Sequence, residues 1–122
     1  AGRRARGDRA GECRRLRPVS DGAATDGHFL LRYELAADYL ERRGTLRDAH
    51  LALAWEAADR GALLLGGTVG EPIESALLLF TDRAAAEAFA NADPYVREGL
   101  VVCWQVSRWH TVVGSGAATP LR

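Results

Sequence analysis

The sequence predicts an α+β fold with the element order β-α-β-β-α-β. Three observations predict it. Residues 28–35, "HFLLRYEL", alternate along a half-buried strand, with Phe29, Leu31, Tyr33 and Leu35 on one side. Residues 45–61 are rich in Ala and Leu and run from a capping residue to a glycine, the mark of a helix. Two short Leu-rich runs, a second Ala-rich segment and a closing apolar strand then complete the order.

Each element has a local reason. After the first strand, "AADYLERRG" allows one short helical turn. Thr45 is the expected N-cap of the main helix, with Asp48 in the capping-box position and Gly61 as the residue just past the end. Leu46, Leu53, Ala54 and Ala57 make its apolar stripe, and His50 falls within it. "ALLLGG" (62–67) reads as a buried strand, Gly70 and Pro72 as a turn, and "ALLLF" (76–80) as the next strand. Thr81 and Asp82 open the second helix, which stops before Asp93-Pro94 because a residue preceding proline avoids helical backbone. Residues 100–113 read as the last strand, with Val102, Trp104 and Val106 on one side. This order is that of a ferredoxin-like sandwich, a four-stranded antiparallel sheet with two helices on one face. Leu77 and Leu79 face away from Leu78 and Phe80, and both pairs are apolar. A homodimer through the uncovered sheet face is therefore expected.

Composition narrows the function classes. The 122 residues carry no net charge and are 48% hydrophobic, enough for one packed domain. Residues 1–27 hold seven arginines and four acids and no aromatic residue. They are expected to be a basic, disordered extension, residues 28–114 the folded domain and residues 115–122 a flexible tail. A nucleic-acid arm is disfavoured because nothing in the extension can stack on bases. The two cysteines, Cys13 and Cys103, do not form a disulfide framework, so a reducing, cytoplasmic setting is expected. No apolar run approaches the roughly 18 residues of a membrane span.

The candidate chemistry centres on two residues. His50 is either a core histidine satisfied by its neighbours or a general acid/base, because imidazole titrates near neutrality. Asp93 is either a turn residue or a carboxylate that orients the His50 ring. Arg47 lies three residues before His50, on the same side of the helix, and can grip an anionic group or simply face solvent. Tyr95 can donate a phenol hydrogen bond or pack. No metal or cofactor is expected. His28, His50 and His110 lack ligand spacing, and "GGTVG" lacks the lysine of a phosphate loop.

"RDAHLALAWEAADRGALLLGG", then a glycine-containing turn, "ALLLF", an Ala-rich helix, "ADPYVREGLV" and a closing W-x-V-x-x-W resemble the YCII family of small bacterial proteins. The resemblance covers about residues 29–113, and its specific signals are Arg-x-x-His at the helix start and Ala-Asp-Pro-Tyr after the second helix. It implies a fold of the dimeric α/β-barrel type and a site centred on a His/Asp pair. By motif these are His50 and Asp93, flanked by Arg47 and Tyr95. One branch of the family looks like enzymes that remove chloride from chlorinated hydroxyquinols. The family often has Gly-Pro after the second strand, where this chain has Gly67-Thr68. Two functions follow as expectations. One is a His/Asp acid–base enzyme, lyase- or hydrolase-like, acting on a small, aromatic-type molecule. The other is a non-catalytic dimeric module that binds a small molecule or a protein.

Overall fold

The structure is a computed structural model and describes residues 11–13 and 27–122. Its sheet is built from β2 (His28–Leu35), β3 (Leu63–Val69), β4 (Ser75–Phe80) and β5 (Val101–Trp109), with a two-residue strand β1 (Gly11–Glu12) at one edge. The strand order is β1-β5-β2-β4-β3. The four longer strands are antiparallel to their neighbours, which gives the ferredoxin-like arrangement. β1 adds a fifth strand, parallel to β5.

Register sorts the side chains. Phe29, Leu31 and Tyr33 pair with Phe80, Leu78 and Ala76 on one flank and with Arg108, Val106 and Trp104 on the other. These residues share the face that the helices cover, because directly paired residues point the same way. Phe29, Leu31, Phe80, Val101 and Val106 are fully buried there. Burial of such side chains contributes roughly 1.5–3 kcal/mol each, so this layer is the main source of stability.

Helices α2 (Arg47–Asp59) and α3 (Arg83–Ala92) cover that face, joined by the single turns α1 (Tyr39–Arg42) and α4 (Pro94–Arg97). α3 is capped as its sequence demands: the Asp82 side chain accepts from the Ala85 N–H at 2.7 Å. Its Ala86, Phe89 and Ala90 are buried at the i, i+3, i+4 spacing of an amphipathic helix. α2 differs from its expected design. A 3₁₀ turn, Arg43–Thr45, leads into it, Leu46 takes the N-cap position, and Thr45 bonds instead to the Arg42 carbonyl. Only Ala57 of its stripe is fully buried; Leu46, Leu53 and Ala54 pack against the core while partly exposed, and Ala54 and His50 also border a cavity. Gly61 has a φ of +85°, the left-handed conformation expected just past the helix end.

Four further expectations are corrected. "ALLLGG" is not a buried strand: β3 is the sheet edge, and Leu64 and Leu65 are 48% and 72% exposed. Val102 does not share a face with Trp104. A register shift opposite Glu34 and Leu35 turns Val102 outward and buries Val101 in its place. Residues 115–122 are not wholly loose: Ala118 N–H donates to Thr111 Oγ1 and Leu121 N–H to the Val112 carbonyl.

The fourth correction concerns the cysteines. Cys13 and Cys103 form a disulfide. β1 pairs Gly11 with Cys103, and the Cys13 N–H donates to the Trp104 carbonyl, which brings the sulfurs together across 90 residues of chain. The ground for expecting a reducing compartment falls away with this bond. The rest of the expected disordered extension, residues 1–10 and 14–26, lies outside the described residues. Among the described residues, no helix is long and apolar enough to cross a membrane.

Candidate functional site

The fold brings His50 and Asp93 together. His50 Nδ1 lies 2.8 Å from Asp93 Oδ1. Their positions follow from the local sequence. His50 sits one turn into α2 with its backbone N–H bonded to the Leu46 carbonyl. Asp93 sits where Pro94 ends α3, in extended backbone, and immediately caps α4.

Asp93 is 0% exposed, and its carboxylate is fully engaged. Oδ1 accepts from the Tyr95 N–H at 3.0 Å as well as from His50, and Oδ2 accepts from the Tyr33 hydroxyl at 2.6 Å. A buried carboxylate is tolerable only when donors surround it, and three elements supply them. Burial pushes the Tyr33 phenol well above its ordinary value, and the charge of Asp93 and the hydrogen bond to it act in the same direction. Tyr33 therefore stays a neutral donor. Because Asp93 offers only acceptors, His50 Nδ1 carries the hydrogen of this contact. In the neutral ring that leaves Nε2 as the lone-pair nitrogen.

The ring is fixed from its flat side too. Tyr95 stacks on His50 with centroids 3.9 Å apart and planes 5° from parallel, and Phe89 meets it edge-on. Tyr39 packs edge-on against Tyr95 at 5.7 Å. Burial raises the Tyr95 phenol, Tyr39 and Asp93 add to the rise, and the positive charges of Arg47 and Arg43 oppose it.

His50 lies in the wall of a cavity of about 460 Å³, within the usual size range of small-molecule sites. α2 supplies Arg47, His50 and Trp55, β2 supplies Tyr33, and the edge strand β3 supplies Leu64 to Thr68. Gly67 and Thr68, where the family pattern carries Gly-Pro, line it directly. Of the residues expected from sequence, Arg47 and Tyr95 are at the cavity with His50, while Asp93 stands behind the imidazole and out of solvent. This arrangement can hold an imidazole in one tautomer and present its free nitrogen to a small molecule.

Sequence reading did not pick out Tyr33, Tyr39, Arg43 or Trp55. A signal existed for Tyr33, since an inward-facing tyrosine on a strand needs a partner for its hydroxyl. Elsewhere, the ligand-type cluster Cys13, Glu34 and Cys103 has both sulfurs committed to the disulfide.

A family model described as the YCII-related domain matches residues 27–110. Protein YciI of Escherichia coli and protein YciI of Shigella flexneri are each 36% identical over 75 residues, covering 52% of this chain and 76% of theirs. A solved structure of 5-chloro-2-hydroxyhydroquinone dehydrochlorinase from Burkholderia phenoliruptrix, in complex with 2,5-dihydroxybenzoquinone, resembles the chain with a TM-score of 0.57. That likeness covers 69% of this chain and 94% of the other at 20% identity, and it concerns the fold.

Proposed function

The chain belongs to the YCII-related family, and from that premise we propose that it is a small acid–base enzyme whose working pair is His50 and Asp93. One observation carries the reading: an imidazole, held through Nδ1 by a buried carboxylate, at the wall of a cavity sized for a small molecule.

In this mechanism Asp93 keeps the hydrogen on Nδ1 and stabilises the imidazolium that forms. Nε2 takes a proton from the substrate. The electrons left behind expel a leaving group with its bonding pair in the lyase-like form of the reaction, or a water gives up the proton and attacks in the hydrolase-like form. Arg47 and the neutral Tyr95 phenol steady the negative charge that develops. The resemblance to a dehydrochlorinase favours the lyase-like form and a small aromatic substrate.

We infer in addition that the active form is a homodimer. Leu30, Leu65, Leu77 and Leu79 share the sheet face that none of the described helices covers, and Leu65 is 72% exposed. A second copy would shield that face.

The test is a thermal-shift screen of small aromatic compounds, 5-chloro-2-hydroxyhydroquinone among them, followed by mass spectrometry of each compound that binds. Conversion by the native chain and none by His50→Gln supports the enzyme. Equal conversion by both would sink it, and binding with no conversion favours a purely binding module.

A further inference from the structure

We propose that the cavity is built for a small organic anion, a carboxylate on an apolar body, with Arg43 and Arg47 holding the carboxylate. The inference deepens the acid–base reading and shares its cavity, but it does not need the chemistry.

The lining is lopsided in charge. Arg43, Arg47 and His50 border the cavity along with Tyr33, Tyr39 and Tyr95, and among the described residues no carboxylate lines it. The nearest acid, Asp93, is fully buried behind the imidazole with all its donors in place. The neighbouring Arg42 shows what a structurally employed arginine looks like here. It reaches Asp38 at 3.6 Å and donates to the Glu98 carbonyl at 2.7 Å. Arg43 instead lies over the Tyr39 ring at 5.5 Å, and neither it nor Arg47 has an acid partner among the described residues. Two guanidiniums beside one cavity without a counter-charge repel each other, and a bound carboxylate removes that repulsion while accepting their planar donors.

The opposite wall is apolar. Trp55 is 65% exposed, and Leu51 and Leu64 are also exposed, yet all three border this cavity. Large apolar side chains grouped at one opening mark a surface that something apolar covers. Arginines on one side and an apolar wall on the other select a ligand with both characters. A neutral hydrocarbon leaves the charges unmet, and an inorganic anion leaves the wall wet.

Isothermal titration of the full chain with phenylacetate and with its neutral isostere phenylacetamide tests this. The carboxylate should bind about tenfold more tightly than the amide, the small end of what hydrogen bonds to a charged group supply. Added salt should weaken phenylacetate alone. The preference should vanish in the Arg43→Gln/Arg47→Gln double variant. Both substituted side chains lie at the surface of the turn and the first helical residue, and circular dichroism would verify the fold. His50→Gln should retain the preference, so loss of turnover and loss of anion selectivity are separate outcomes. Equal binding of acid and amide, a preference that survives the double variant, or no binding of either at millimolar concentration would overturn the proposal.

Discussion

The His50 imidazole lies flat on the Tyr95 ring while the Tyr95 backbone N–H donates to the same Asp93 oxygen that His50 contacts. Side chain and main chain of one residue thus fix both the ring and the carboxylate that orients it. Tyr95→Phe should keep the stack and change stability by less than about 1 kcal/mol. Tyr95→Ala should cost about 3–5 kcal/mol, the usual cost of emptying a buried aromatic site. Urea unfolding of both variants measures the difference, and similar losses would mean that the ring face contributes nothing.

Tyr33 predicts an alkaline weakness. Its phenol pKa is raised in the folded state, by burial first, so above pH ~10 the native chain holds a proton that the unfolded chain releases. The stabilisation is complete below about pH 10 and is lost as pH rises further, by up to about 1.4 kcal/mol per pH unit. Tyr33→Phe should be less stable at neutral pH, because Asp93 Oδ2 loses its donor, yet fall less steeply between about pH 9 and 11. Denaturant titrations across that range decide it, and identical slopes would count against the buried donor.

The disulfide predicts a dependence on redox conditions. Closing 90 residues of chain should contribute about 2–4 kcal/mol. A reductant should therefore lower the melting temperature of the native chain and leave a Cys13→Ser/Cys103→Ser variant unmoved. Deleting the segment that carries Cys13 should also cost stability. Sensitivity to reductant in the double variant would contradict this.

The uncovered sheet face predicts an assembly. The native chain should sediment as a dimer at micromolar concentration, and Leu79→Arg, which places a charge among Leu30, Leu65 and Leu77, should sediment as a monomer with its circular dichroism unchanged. A monomeric native chain would refute the face as an interface.

Much of this was legible in residue order. Period-two alternation located β2, a short apolar run located β4, Asp82 and Pro94 bounded α3, and Gly61 ended α2. The His50–Asp93 pairing came from motif resemblance, since a separation of 43 residues carries no spacing signal. Three features stayed hidden for physical reasons. β3 looked buried because its leucines are apolar, but edge position and cavity decide exposure there. The shift that turns Val102 outward adds one residue without any glycine to betray it. Cys13 and Cys103 meet only because a two-residue strand docks on β5, a tertiary event.

Asp93 ends one helix, starts another and neutralises three donors, so a chain of this architecture would retain that carboxylate for integrity alone. Its presence is weak testimony to chemistry. The imidazole caps no helix, and among the described residues Asp93 alone bonds its ring. A descendant that had abandoned its reaction could replace His50 with another donor such as glutamine while its acid stayed behind as a fossil of the scaffold, so histidine at that position is the better witness to a working site.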